Sequence, residues 1–140
     1  MDFPRLALAA ISAWVLSIVV GFGVNAYLMD EIYQLHASVF RPQDEMDLAL
    51  GFGAQLLGFL AFAYMYAKGY EGTSGLQEGL RFGVLVGLIL IGFAIVWNYV
   101  TLPVSRTMGV YWTVDVLLEM AIYGAVIGLI YRPLPSAHRG

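Results

Sequence analysis

The stretch GLRFGVLVGLILIGFAIVWNYVT, residues 79–101, decides the fold, because its 23 residues contain one charged side chain, Arg81. A continuous apolar run of this length is typical of a transmembrane α-helix, which needs about 20 residues to cross the hydrocarbon core of a bilayer. The run does not alternate with period two, so it is not a barrel strand. Similar runs occur at residues 6–29, 46–67 and 110–131. We therefore predict an all-α membrane protein with four transmembrane helices in a bundle.

The composition supports this class and excludes others. The chain has 140 residues, of which 60% are hydrophobic and 12% charged, against about 45–50% and 25% in a typical soluble domain. Its length fits a single domain, residues 1–140. It has no cysteine and two histidines, His36 and His138, so no metal site and no cofactor are expected. The net charge of −3 argues against nucleic acid as a partner.

The basic residues predict the orientation of the helices. Cytoplasmic loops carry an excess of lysine and arginine, and one side of the predicted bundle carries five such residues: Arg5, Lys68, Arg81, Arg132 and Arg139. The other side carries Arg41 and Arg106. We therefore expect a multi-pass protein of the bacterial inner (plasma) membrane, with its N-terminus and C-terminus both cytoplasmic.

The first outer segment, DEIYQLHASVFRPQDE at residues 30–45, has helical periodicity. Ile32, Leu35 and Val39 fall at positions i, i+3 and i+7, a pattern that predicts a short amphipathic helix on the outer surface. Asp44 and Ser74 precede the second and third long helices, and we expect them to act as N-caps.

Small residues recur every four positions along three of the predicted helices. The stripes that we expect in helix packing contain Ala9, Ala13, Ser17, Gly21, Gly79, Gly83, Gly87, Gly124 and Gly128, and the glycine spacing begins at Gly75. Within a membrane, such residues let helix backbones approach closely. The stripes could pack the four helices of one subunit, or one of them could form a contact between subunits.

Two ionisable residues, Asp115 and Glu119, lie inside the fourth predicted span. Four residues apart on a helix, they point about 40° from each other, and ionisable residues at this depth suggest a functional site. The outer halves of the other three spans each contain one polar group. We therefore predict a polar pocket open toward the outer side, with His36 and Arg106 as possible partners at its mouth and these lining residues: Asn25, Gln55, Asn98, Asp115 and Glu119.

Three interpretations of this polar set stay open: structural hydrogen bonds between helices, an ion or proton site, and a binding pocket for a small or lipid-like molecule. Continued inward, the acidic face of the fourth helix becomes apolar at Ile122, Val126 and Leu129, which favours a pocket over a pore. Gly124 and Gly128 point to the opposite side of the same helix. A helix with two faces unsuited to lipid indicates a dimer or a larger complex.

Four segments carry a resemblance to a group of known families. The segments are GLQEGLRFGVLVGL (75–88), WNYVTLP (97–103), VDVLLEM (114–120) and GLIYRP (128–133). In this pattern the chain resembles uncharacterised bacterial inner-membrane proteins with four predicted spans, mainly over residues 68–133. The resemblance implies the inner membrane and four helices, and it supplies no catalytic residue.

These observations lead to one main hypothesis and two alternatives. The main hypothesis is a small inner-membrane protein that acts through helix packing, as a homo-oligomer or as an accessory or assembly subunit of a larger membrane complex, in contact with the lipid bilayer and not as an enzyme. The first alternative is a small transporter, or an ion- or proton-coupled protein, that uses Asp115 and Glu119. The second is a membrane enzyme acting on a lipid-like substrate.

Overall fold

The computed structural model of the protein describes residues 1–131. The described residues do not include Arg132, His138 and Arg139. In chain order the α-helices are α1 (Phe3–Gly23), α2 (Asp30–Leu35), α3 (Leu48–Gly69), α4 (Gly75–Leu90), α5 (Val96–Thr101) and α6 (Arg106–Ile130). One π-helical turn (Val24–Leu28) extends α1, and another (Ile91–Ile95) joins α4 to α5.

Four continuous helices are long and apolar enough to cross a membrane, as the sequence predicts. They are Phe3–Leu28, Leu48–Gly69, Gly75–Thr101 and Arg106–Ile130, and they contain 26, 22, 27 and 25 residues. At 1.5 Å per residue they measure about 33 to 40 Å, which exceeds the ~30 Å hydrocarbon core. We call the end of the bundle where α6 begins the outer end, after the predicted orientation, and the opposite end the inner end.

The four long helices pack in the order α4, α6, α1, α3. α6 therefore lies between α4 on one side and α1 on the other, and both of its non-lipid faces are covered within one chain. From the sequence, two such faces suggest a dimer. In the structure, α4 and α1 of the same subunit cover both faces.

The glycine stripes hold α4 against α6. Gly75, Gly79, Gly83 and Gly87 are the buried residues of α4, and Gly124 and Gly128 are buried opposite them on α6. A Cβ atom on Gly83 would overlap the backbone carbonyl of Met120, so the two backbones touch with no side chain between them. On α1, the small residues Ala9, Ala13 and Ser17 are buried as well.

Aromatic residues close the inner half of the bundle, where the core cluster joins α1, α3 and α6. The ring of Phe62 on α3 lies 5.6 Å from that of Phe82 on α4. The Tyr66 ring packs against Phe82 at 5.8 Å and against Tyr131 at 6.3 Å. Tyr66 is 2% exposed and Ile127 is 0% exposed, so packed side chains of the described residues fill this half.

The outer half of α3 packs far less than its inner half. Every residue from 48 to 58 is exposed except Leu56. The Trp14 indole N–H donates to the carbonyl of Phe52 at 3.1 Å and ties this half to α1.

The caps differ from the expected ones. Asp47, not Asp44, caps α3, accepting from the Leu50 N–H at 2.9 Å, because α3 begins at Leu48 and Asp44 lies in a 3₁₀ turn (Gln43–Glu45). The Ser74 side chain makes no capping bond. The Glu78 carboxylate instead folds back onto the loop and accepts from the backbone N–H groups of Glu71 and Thr73.

The expected short outer helix is present as α2, with a smaller apolar face than the periodicity suggests. Ile32 is buried at 8% exposed, whereas Leu35 is 77% exposed. Val39 lies beyond the helix, since α2 ends at Leu35. The His36 ring stops the helix by donating from Nδ1 to the carbonyl of Ile32 at 2.8 Å. Because α2 is shorter than two turns, it buries one apolar side chain, Ile32.

Candidate functional site

The acidic pair, Asp115 and Glu119, lies on α6 facing α1. The neighbour of Glu119 across the interface is Gly21, where a Cβ atom would lie 3.8 Å from Glu119 Oε1. Glycine at this position leaves space beside the carboxylate. Both acidic side chains are half-buried, and they are close enough for their charges to interact.

Tyr123 completes the site one helical turn further in. It is 1% exposed, and its ring packs edge-on against Phe59 of α3 with the centroids 5.3 Å apart. Its hydroxyl lies beside the Glu119 carboxylate, and apart from this contact neither Tyr123 Oη nor Glu119 Oε1 has a hydrogen-bond partner within the described residues. A buried polar atom without a partner costs about 1–3 kcal/mol, and more when it is charged.

No arginine of the outer side compensates the acidic pair. Among the residues that the structure describes, neither Arg41 nor Arg106 forms a salt bridge with Asp115 or Glu119. Arg106 instead lines a groove between α5 and α6, and Arg41 lines a second groove beside the start of α3. The charge of the pair must therefore be neutralised by something other than these two side chains.

The first outer segment covers the outer end of α6, and we call this contact the outer cap. It is built around the buried residues Met29, Ile32 and Met108. The Trp112 indole N–H donates to Tyr33 Oη at 3.0 Å, and the Phe40 ring packs edge-on against Trp112 at 6.2 Å.

His36 joins this cap to the start of α6. Its Nε2 accepts from the backbone N–H of Ser105 at 3.0 Å, while its Nδ1 is bonded to Ile32 as described above. Both nitrogens are thus engaged, which requires the neutral ring with its proton on Nδ1. The structure places His36 between the outer segment and α6, beyond the acidic pair.

Tyr33 connects the outer cap to the acidic pair electrostatically. Burial raises the pKa of its phenol above 10.0, the hydrogen bond from Trp112 lowers it, and the negative charge of Asp115 raises it. Tyr33 is therefore a neutral phenol at ordinary pH, lying between Asp115 and the outer surface.

The structure brings together two of the five predicted pocket residues, Asp115 and Glu119. Asn25 lies one turn outward of Gly21 on α1, where its amide donates to the Gly21 carbonyl at 2.7 Å. Gln55 is exposed and lines the groove that contains Arg41, and Asn98 is exposed on α5.

Tyr123 and Tyr33 are the site residues that the sequence reasoning did not select. Tyr123 follows Glu119 by four residues, the spacing that places two side chains on one helical face, so that signal was present. Tyr33 is brought to α6 by the fold of the outer segment, for which the sequence carries no local signal. Within residues 1–131 no group of three or more His, Cys, Asp or Glu side chains could hold a metal ion.

Comparison with protein-family models, with curated proteins and with solved structures finds no match for this chain. The resemblance to four-span inner-membrane families therefore stays a prediction.

Proposed function

We propose that the protein is a small multi-pass membrane protein that binds a proton or a small cation at the acidic pair and couples its function to that binding. The observation that carries this proposal is the buried pair of oxygens Glu119 Oε1 and Tyr123 Oη, which lie beside each other and have no hydrogen-bond partner elsewhere in residues 1–131. In a structural contact between helices, these two atoms would be expected to have partners on a neighbouring helix.

The electrostatics of the site favour a positively charged occupant. Two carboxylates that interact at low dielectric are rarely both ionised unless a cation lies between them. With no salt bridge from Arg41 or Arg106 to the pair, a proton or a small cation is the simplest compensation. Carboxylate and hydroxyl oxygens suit hard cations, and Gly21 leaves room beside the carboxylate.

We place the entrance of the site toward the outer half of the bundle. The closed aromatic core on the inner side supports a binding site with one entrance over a continuous pore. Transport through such a site would require a moving element that alternates access. The two π-helical turns lie in the outer halves of the continuous helices Phe3–Leu28 and Gly75–Thr101. Such turns are frequent at functional sites.

Placement in the bacterial inner membrane, with both termini cytoplasmic, belongs to this proposal. Membrane embedding is supported by the outward-facing apolar surface of the bundle, on which Phe22 is 68% exposed and Phe93 81% exposed, and the orientation rests on the distribution of lysine and arginine. Side chains of this size need the lipid bilayer as their partner, since a soluble monomer rarely exposes contiguous apolar surface on this scale.

Reconstitution in liposomes tests the proposal. The protein should give pH- or cation-dependent ion flux above protein-free vesicles, and the double variant Asp115→Asn with Glu119→Gln should abolish it while the bundle stays folded. Glu45→Gln, an exposed acid of the outer segment, is the matched control and should leave the flux unchanged. Flux that persists in the double variant would overturn the assignment.

A second candidate is the subunit hypothesis, in which the protein acts as a homo-oligomer or as part of a larger complex. One observation favours it: the small face of α3 formed by Gly51, Ala54 and Gly58 is exposed, and a Cβ on either glycine would meet nothing within 4 Å. Gly58→Leu should then disrupt the assembly on native gels without unfolding the subunit. An unchanged assembly would remove this candidate.

A further inference from the structure

The groove between α5 and α6, which we call the Arg106 groove, begins where the glycine contact between α4 and α6 ends. At Gly79 and Gly83 the two backbones touch. At Gly87 the nearest atom to an added Cβ is the side-chain Cδ1 of Leu117, at 3.2 Å. The chain then passes through the π-helical turn Ile91–Ile95, beyond which α5 and α6 enclose an open groove of about 440 Å³.

The walls of the groove are apolar. Ile95 and Val96 form one side, and Val110 and Val114 the other. Thr113 also lines it, but its hydroxyl donates to the Gly109 carbonyl at 2.8 Å and is therefore already satisfied. Toward the outer end, the Tyr99 ring packs so closely on Gly109 that a Cβ there would lie 3.0 Å from Tyr99 Cδ2.

Among the described residues that line the groove, Arg106 is the charged one, and it lies at the outer end. Arg106 is exposed and forms no salt bridge with a carboxylate of the described residues, although the first outer segment is rich in acids. It is the first residue of α6, where the helix dipole adds partial positive charge. The groove thus combines a cationic end with an apolar channel.

The dimensions match one leaflet of a membrane. The groove follows α6 from Arg106 to Val114, which is about 12 Å at 1.5 Å per residue, against about 15 Å for half of the hydrocarbon core. Its volume lies in the range of small-molecule sites, about 300–1,000 Å³. Arginine is well suited to bind phosphate through two parallel hydrogen bonds.

We propose that the Arg106 groove binds an anionic phospholipid of the outer leaflet, with one acyl chain between α5 and α6 and the phosphate on the Arg106 guanidinium. The proposal rests on the membrane placement proposed above, and it is independent of the acidic pair, which faces the opposite side of α6. The charge complementarity selects an anionic lipid over a zwitterionic one.

Lipid retention measured by native mass spectrometry tests this proposal on the full chain. Purified protein is mixed with phosphatidylglycerol and phosphatidylcholine of identical acyl chains. We expect about a tenfold preference for phosphatidylglycerol, equivalent to about 1.4 kcal/mol, because the choline of phosphatidylcholine adds a positive charge that Arg106 repels. Arg106→Gln should reduce the preference to near parity, and Arg41→Gln, which removes the other outer arginine, should leave it unchanged.

Two further measurements separate the contribution of the acyl chain from that of the lipid headgroup. Val110→Trp fills the groove but keeps Arg106, and it should lower retention of both lipids. Inorganic phosphate alone should not displace phosphatidylglycerol, because it cannot occupy the apolar channel. Equal retention of both lipids by the unmodified protein, a preference that survives Arg106→Gln, or displacement by phosphate would each overturn the proposal. Glu119→Gln should keep the lipid preference. This variant therefore distinguishes an error in the proposed acidic site from an error in the proposed lipid groove.

Discussion

Gly79 and Gly124 face each other so closely that a methyl group on either residue would overlap the backbone carbonyl oxygen of the other. The contact is reciprocal and involves backbone atoms alone, so neither helix can yield by rotating a side chain. It fixes the distance between α4 and α6 and, through α6, the position of the acidic pair.

We predict that Gly79→Ala destabilises the protein by about 1–3 kcal/mol, the usual cost of overpacking a close contact. Thermal unfolding in mild detergent, followed by circular dichroism, measures the change. Gly58→Ala is the matched control, because its Cβ meets nothing within 4 Å, and it should be neutral or stabilising since alanine favours the helix. Equal effects of the two substitutions would show that the α4–α6 contact is looser than described.

The Tyr123 hydroxyl gives a second prediction. Because Tyr123 Oη has no partner in residues 1–131 apart from the neighbouring Glu119 carboxylate, Tyr123→Phe removes that one contact and keeps the ring against Phe59. We expect the free energy of unfolding without added cation to change little. The variant should, however, lose stabilisation by added monovalent cations, which a titration of unfolding against salt in unmodified protein and variant would reveal. A destabilised variant with intact cation dependence would contradict this role.

His36 gives a prediction for the outer cap. Its Nε2 accepts from the Ser105 N–H and its Nδ1 donates to the Ile32 carbonyl, so His36→Ala removes both contacts. The variant should take up more deuterium than the unmodified protein at residues 30–40 and 103–108. Gln34→Ala, two residues away and exposed, should behave as the unmodified protein. Equal uptake in the unmodified protein and in His36→Ala would contradict a role of His36 in holding the outer cap.

Tyr33 predicts a stability change at alkaline pH. Burial, the largest influence, raises the pKa of its phenol in the folded state above the ordinary value. Above about pH 10 the unfolded chain would therefore lose this proton more readily, and stability should fall as the pH rises. Tyr33→Phe should remove that part of the slope. Asp115→Asn should lower the pKa of Tyr33, measured as phenolate absorbance against the Tyr33→Phe variant; a rise would contradict the proximity of the two groups.

Much of the fold could be predicted because the signals are local. Four runs such as residues 79–101 identify themselves by length and apolarity, and the four-residue glycine period indicates close packing. The sequence could not say which helices the stripes join, since Gly79 has no sequence link to Gly124. That neighbour relation also explains the two covered faces of α6 without a second subunit.

The candidate site was predictable in part for the same reason. Asp115 and Glu119 stand out as acids in an apolar run, and their common face follows from helical geometry. Depth alone placed Gln55 and Asn98 beside them, but depth does not determine the direction in which a side chain points, and both are exposed in the structure. Tyr33 reaches the site through the tertiary fold of the outer segment.

In the proposed site the Glu119 carboxyl group exchanges a proton for a cation, because no lysine or arginine of residues 1–131 forms a salt bridge with it. Infrared difference spectroscopy of the reconstituted protein tests it most directly, because a protonated carboxyl group and a carboxylate absorb at separate frequencies. Adding a monovalent cation to the unmodified protein should remove a protonated carboxyl band and create a carboxylate band, and Glu119→Gln should abolish both. A spectrum without a protonated carboxyl band, or a cation response that persists in Glu119→Gln, would contradict the claim.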